Sequence, residues 1–520
     1  MTRRVGWVLL LDALLAAILV PVFPHFLSPN EFSRWALAAA VVEKRTLEVS
    51  SVTGLLGPRF EDLSVKDGRT YSNKAPGGAL VSGVGYLLAR PLVGPPTAAS
   101  MRPALNAMRL VGATLPVLLL GFLFALAIER FGGEVSRAPL LVFGLLFATP
   151  LFTYGLLLFS HALVAFALFG AFLALFLPAP RAAWSDLLGG ALIGVAVLSE
   201  YPAAVPGLVL ILCSLRRGGL PRLARIALGG APFALLLGAY DLVCFGSVFS
   251  LSSSHEKFAV FSALATKGAF GIAWPSPAVI LRLLLDPGRG LLVFSPFLLL
   301  APRALGAAWF VLPRDAFVAV VLVPLSLLLL YAGYPNWHGG WAVGPRYLVA
   351  AIPFLLFPLA FRQGGRFEAM LLGASALAVV TTSLVFPFVP NELSLPWGSF
   401  ALPLLGRGLI APNLFHLIAR PLALVVPPGL AIGAAALAIA PRRWPSFLFG
   451  AAATTAVALL LPMLRPDPLS ARVARGYVEE VYFEQSGALA RVLPASVGVP
   501  DPLRRRQAFE VMLPPRPWPF

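Results

Sequence analysis

The chain has 520 residues, of which 58% are hydrophobic and only 12% charged, and its mean hydropathy of +0.85 excludes an ordinary soluble globular protein. The formal net charge of +17 is no sign of nucleic acid as a partner, because many of the arginines stand in short loops between apolar stretches, where they report topology. The two cysteines, Cys213 and Cys244, lack metal-ligand spacing and support neither a disulfide framework nor a zinc site.

Apolar stretches recur that approach the roughly 20 residues needed to cross about 30 Å of hydrocarbon. The expected class is therefore an all-α integral membrane protein, a multi-span bundle; a β-barrel would show short alternating strands instead. The opening MTRRVGWVLLLDALLAAILVPVF combines a basic start with an apolar run but lacks a convincing small-residue cleavage site, so it reads as an uncleaved first span. Spans are predicted near 5–25, 106–128, 138–157, 161–179, 186–199, 201–215, 224–243, 289–304, 315–333, 346–361, 367–387, 421–440 and 445–463, about 13 transmembrane helices in all. With Arg3 and Arg4 cytoplasmic, alternation puts the loops carrying Arg130 and Arg137, Arg181, Arg216 to Arg225, Arg303 and Arg314, Arg362 and Arg366, and Arg442 and Arg443 on that same side. An odd number of spans then leaves the C-terminus outside. The chain divides into a transmembrane module, 1–463, and an extracytoplasmic tail or small domain, 464–520, of mixed polarity with the Pro-rich end LPPRPWPF.

Under this topology the long polar segments fall outside, so chemistry is expected on the outer face. The first outer loop, 28–105, contains two rather apolar helical stretches, 30–43 and 76–92, that suit the membrane interface better than a crossing. Glu31, Arg34 and Trp35 stand at i, i+3 and i+4 on the first of them and share a face. A solvated helix start, with the glutamate set against the N-terminal dipole, would account for them equally. The following FEDLSVKDGRTYSNKAPGG supplies Asp62, Asp67, Tyr71 and Lys74, with Pro76 placed to open the second helix; a plain polar loop is the alternative.

Three short strings, NEFSR, YSNKAPGG and MRL at the start of the second span, occur here in an order that resembles the first outer loop of the membrane-embedded GT-C glycosyltransferases. In pattern the chain is most similar to the lipid A aminoarabinose transferases and protein O-mannosyltransferases. The resemblance is strongest over residues 1–130 and continues more loosely through LSEYPA, LLDPGRGLLVFSP and NWHGGWAVGPRYL; the tail has nothing comparable. It implies a multi-span bundle with interfacial helices after the first span. It also implies an enzyme that moves a sugar from a polyprenyl-phosphate-linked donor to an acceptor glycan, lipid or protein outside the membrane. A single, inverting displacement is implied as well, since one base and no covalent nucleophile suffice. Those relatives usually carry Asp-Glu where this chain has Asn30-Glu31, and their base is assigned to the aspartate.

Such a transfer needs a carboxylate to take the proton of the acceptor hydroxyl, typically worth about 10² to 10⁴ in rate. Glu31 is the obvious replacement, with Asp62 and Asp67 as the other candidates. Fixed cations must meet the charge that grows on the departing phosphate. The candidates are Arg34, Lys74 and Arg346, the last at the outer end of a span at headgroup height, where a guanidinium suits a phosphate bidentately and where a snorkelling arginine is also expected. His161, at the start of the fourth span, and Glu200 with Tyr201, between two short spans, are candidates for lining a polar cavity or for structural pairing. Trp337 and His338 either stack on a sugar ring or belong to an aromatic belt. Asp286 and Arg289 in DPGRG fit a tight turn, and HEKF at 255–258 is too isolated for a metal motif. Some relatives use a divalent metal ion; Glu31, Asp62, Asp67 and His338 could supply ligands, but no spacing defines a site. A transporter or lipid flippase is the rival reading, although no repeat relates the two halves and the charges gather at one surface. The arginine-rich, lysine-poor composition points to a bacterial plasma membrane as the location.

Overall fold

The computed structural model describes residues 2–20, 29–53, 62–97, 100–177, 183–216, 218–258, 262–264, 268, 271–464, 468–481 and 483. Helices occupy each of the thirteen apolar segments expected from the sequence; residues 21–25 of the first lie outside the described residues, as does most of the tail. Among the described residues, five helices are long and apolar enough to cross a membrane by length and composition: Met101–Arg130, Gly219–Phe245, Arg314–Ala332, Arg366–Val385 and Arg420–Ala438. Shorter apolar helices, including His161–Phe176 and Ala183–Ser199, pack among them. Proline explains several breaks. Pro150 follows the helix Ala138–Phe147, and the chain resumes only as the short turn Leu151–Tyr154.

The bundle core is built from leucine, alanine and phenylalanine, with Phe169 touching Phe354 edge-on at 5.4 Å and Phe131 stacked on Phe172 at 5.5 Å. In a hydrocarbon solvent such close packing, rather than escape from water, holds helices together. At one end of the bundle arginines from separate loops converge on buried carboxylates. Arg137 donates to Glu368 and to the Leu359 carbonyl, and Arg443 lies 3.6 Å from the same glutamate. Arg222 and Arg225 meet Asp186 at 2.9 and 2.8 Å. These loops are the ones the arginine pattern assigned to a common side.

A second, smaller core forms at the opposite end. It joins the helix Pro29–Lys44, a hairpin of β1 (Leu63–Lys66) and β2 (Arg69–Ser72), the helix Pro76–Val93, the start of Met101–Arg130 and the end of Gly219–Phe245. Both interfacial helices expected from the sequence are present. Pro29–Lys44 is buried all round from Glu31 to Ala40, with Trp35 stacked on Phe32 at 5.6 Å and edge-on to Tyr86 at 6.3 Å. Pro76–Val93 is two-faced: Gly77, Gly78, Ser82, Gly85 and Tyr86 are buried, while Val84, Leu87, Leu88 and Leu92 are exposed. Two of its glycines are there for close approach. A Cβ at Gly77 would stand 2.6 Å from the Leu198 carbonyl carbon, and one at Gly78 would stand 2.1 Å from Ser160 Oγ.

The hairpin replaces what the sequence reading took for a polar loop. Asp67 and Gly68 have φ of 50° and 76°, the paired positive values of a two-residue hairpin turn, and Ser64 pairs with Tyr71 in the antiparallel register. A distant segment then joins its edge. Glu256 bridges to Ser64, and the Lys257 N–H donates to the Leu63 carbonyl at 2.7 Å.

Candidate active site

Charged side chains collect at the seam between this cap and the bundle. Arg34, only 2% exposed, staples three separate pieces of chain. Its Nε donates to Ser160 Oγ (3.0 Å), Nη1 to the Asn30 side-chain oxygen (3.0 Å) and Nη2 to Glu200 Oε1 (2.8 Å). Burial pulls its pKa below the ordinary arginine value; Glu200 opposes that, and the charge of Arg346 adds to it.

Glu31, three residues earlier, points away from that junction. Arg109 grips it bidentately, Nε to Oε1 at 2.8 Å and Nη2 to Oε2 at 2.7 Å, and the Leu158 N–H donates to Oε1 at 2.9 Å. Neither side chain has exposed surface. Asn106 Oδ1 accepts from Arg109 Nη1 at 2.9 Å, and the helix widens into a π-turn, Leu110–Thr114, immediately afterwards.

On the cap side, Lys74 Nζ lies 3.2 Å from Asp62 Oδ1. Between the carboxylates of Asp62 and Glu256 sits one amide: Asn73 Nδ2 donates to Asp62 Oδ1 at 2.5 Å and to Glu256 at 2.9 Å to Oε2 and 3.1 Å to Oε1. Ser33 fixes the orientation of that amide by donating to its Oδ1 at 2.9 Å. Burial raises the Glu256 pKa to about 7, with Lys74 opposing and Asp62 reinforcing.

From the bundle side comes Arg346. Its Nη2 donates to the Tyr347 hydroxyl at 3.1 Å, and its guanidinium stands 5.0 Å from the Tyr347 ring and 5.3 Å from Phe159. Its Nε is buried without a hydrogen-bond partner, and among the described residues no carboxylate pairs with it. The loop that presents it needs glycine: Gly339 and Gly340 have φ of 69° and 72°, and a Cβ on Gly339 would stand 2.8 Å from Arg346 Nε. Tyr347 stacks on Tyr331 at 4.5 Å and meets His161 and Tyr334 edge-on. The Arg346 charge bears on Arg34, Tyr334, Arg289 and His338, which places these groups around one space. Tyr334 also lies within the fields of Glu256 and Glu200.

Arg34, Asp62, Lys74, Glu200 and Arg346 thus come together, with His161 in the aromatic wall. Trp337 and His338 form the flank. Trp337 lies between Arg282 and Arg289, 5.8 and 5.7 Å from its ring, and the His338 carbonyl accepts from Arg289 at 2.6 Å. Burial, with Arg289 and Arg346 nearby, lowers the His338 pKa to about 4. Asp286 caps the tight turn expected of DPGRG, accepting from the Gly288 N–H at 2.9 Å. Besides Glu31, three predicted residues stand apart. Tyr71 is buried in the cap against Phe245 (5.5 Å), Tyr201 hydrogen-bonds weakly with Asp241 and Ser252 (3.4 and 3.3 Å), and Asp67 is 83% exposed at the hairpin turn.

Glu31, Asp62, Asp67 and His338 do not converge as a ligand set, and among the described residues no group of three His, Cys, Asp or Glu side chains could hold a metal ion. Glu256, Asn73 and Arg109 stand in HEKF, YSNKAPGG and MRL, strings noted in the sequence, but the sequence assigns none of the three a role. Glu256 is 183 residues from the asparagine it contacts, and no periodicity links such distant segments.

No family model matches the sequence, and no curated protein matches it either. Solved structures do resemble it. The apo form of ArnT from Cupriavidus metallidurans superposes with a TM-score of 0.52 at 17% identity, covering 99% of this chain and 86% of that one. The same protein bound to undecaprenyl phosphate gives 0.50 at 17% identity, over 92% and 81%. The chain thus shares the fold of these ArnT structures.

Proposed function

We propose that this protein is a GT-C glycosyltransferase that moves a sugar from a polyprenyl-phosphate donor to an acceptor at the extracytoplasmic face of a bacterial plasma membrane. One observation carries the reading: Arg346 is a half-buried guanidinium whose Nε is shut away from water without a hydrogen-bond partner, and among the described residues no carboxylate forms an ion pair with it. A cation left so is costly unless an anion completes it, and its planar fork suits a phosphate. Two other cations at the seam have acidic partners, Arg34 with Glu200 and Lys74 with Asp62, and Arg289 has both ends of its guanidinium engaged by the His338 and Asn391 carbonyls. The structural neighbour solved with undecaprenyl phosphate supports a carrier of this class.

In this reading Arg346 holds the donor phosphate and meets the charge that grows on it as the glycosidic bond breaks. Tyr347, bonded to Nη2, sets the guanidinium plane. Lys74 reaches the phosphate from the cap, at the cost of its contact with Asp62. Arg34 fixes the seam. The aromatic wall of Tyr331, Tyr334 and Tyr347 excludes water from one side.

Mass spectrometry of lipids retained by the purified protein tests this, comparing wild type with Arg346→Ala. A polyprenyl phosphate or its sugar ester, enriched in wild type and lost in the variant, is the expected result. Bulk phospholipid alone, even after polyprenyl-phosphate-sugar donors are added, defeats the reading.

A further inference from the structure

The seam holds more carboxylates than a single displacement needs, and their surroundings distinguish them. Glu31 has both oxygens held by Arg109 and no exposed surface. Glu200 is bound to Arg34, and Asp62 to Lys74 and Asn73. Asp67 stands on the exposed hairpin turn. Glu256 differs from all of these: its side chain accepts from one neutral amide, Asn73 Nδ2, and among the described residues no cation forms an ion pair with it. It is half-buried, so an acceptor arriving from water can reach it. Its backbone is fixed on both sides, by the bridge to Ser64 and the Lys257–Leu63 hydrogen bond. The Asn73 amide that holds Glu256 also holds Asp62, which pairs with Lys74, so Glu256 belongs to the cap side of the seam.

We propose that Glu256, brought to the site by the strand-like segment on the edge of the hairpin, is the general base that accepts the proton of the attacking acceptor hydroxyl. The inference rests on the transferase reading above. The acceptor oxygen bonds to the anomeric carbon as the bond from that carbon to the phosphate oxygen breaks. The electron pair leaves with the polyprenyl phosphate, and the hydroxyl proton passes to a Glu256 carboxylate oxygen. Asn73 is a positioning residue: its amide, oriented by Ser33, aims the carboxylate without neutralising it.

The groups facing Glu256 set its response to pH. Asp62 and burial raise its pKa, Lys74 and the Asn73 amide lower it, and the balance is about 7. The base is then charged above that value and neutral below it, so turnover rises with pH through a limb centred near 7. His338, held to about 4, and His255, lowered by burial, do not supply that limb.

The test uses the full-length protein in lipid with a panel of undecaprenyl-phosphate-linked pentoses and hexoses, reading release of undecaprenyl phosphate from pH 5 to 9. Binding of undecaprenyl phosphate itself is measured in parallel. Glu256→Gln is expected to bind the carrier as wild type does, to turn over about 10² to 10⁴ times more slowly, and to lose the limb near pH 7. Glu256→Asp should regain part of the rate. Turnover of Glu256→Gln within threefold of wild type, with the limb retained, overturns the proposal and leaves the transferase reading standing. Failure of the wild type to bind the carrier or to consume any donor overturns both.

Discussion

Exchanging Glu31 for glutamine separates a base from a strut. The carboxylate accepts two hydrogen bonds from Arg109 and one from the Leu158 N–H, and neither member of the pair has exposed surface. Glutamine keeps the shape but removes the charge and turns an NH₂ toward the guanidinium, leaving a buried cation without its counter-ion. Breaking a buried pair from one side costs about 3–5 kcal/mol, whereas replacing both members with apolar groups of similar volume is often neutral. Glu31→Gln should therefore unfold at a clearly lower temperature than wild type, and Glu31→Leu with Arg109→Met should recover most of the loss. Intrinsic-fluorescence melting of the four corners of the cycle, wild type, each single variant and the pair, reads the coupling. A coupling below about 1 kcal/mol would refute the strut argument. So would a Glu31→Gln protein that melts like wild type yet turns over 10² times more slowly, since that pattern belongs to a base.

Three further expectations follow from the site. Arg346→Ala should weaken undecaprenyl phosphate binding at least tenfold, while Arg346→Lys keeps the charge and loses the fork, falling between the two in a lipid-binding titration. Gly339→Ala should weaken the same binding and lower the melting temperature modestly, because an added Cβ would stand 2.8 Å from Arg346 Nε at a φ of 69°; binding equal to wild type would show that the loop yields freely. Glu256 should also leave a mark on stability. Its folded pKa of about 7 lies above the ordinary 4.5, so its favourable contribution is complete below about pH 4.5 and is lost as pH rises through 7. Glu256→Gln should thus gain stability relative to wild type between pH 5 and 8, by about 3 kcal/mol at most, read from melting curves across that range; parallel curves would contradict the shift.

What the sequence disclosed and what it withheld follow one physical division. Apolar runs and arginine loops are local, and they located the helices of the bundle. Pro76 marked a helix start for the same reason, since a proline fixes its own φ. The hairpin had its signal in Lys66-Asp67-Gly68-Arg69, where Asp-Gly suits a tight turn, but its polar composition read as loop. Glu31 shared a helical face with Arg34 in the sequence, yet the fold sends the first to Arg109 and the second to Glu200, 78 and 166 residues away. Which neighbour a buried charge finds is a property of the assembled seam. Glu256 is the extreme case, since its place beside Asn73 depends on a segment nearly two hundred residues downstream joining the hairpin edge.

The leucine face of Pro76–Val93 has a mechanical meaning. A helix lying in the interface with Leu87, Leu88 and Leu92 toward hydrocarbon rides at the height of the bilayer surface, whereas spanning helices are held by both surfaces at once. The two kinds of element meet where Gly77 and Gly78 touch Leu198 and Ser160 with no side chain between them to act as a cushion. A thinner or thicker bilayer that displaces such a helix would therefore press the cap against the bundle directly, with no side chain between them to absorb the shift.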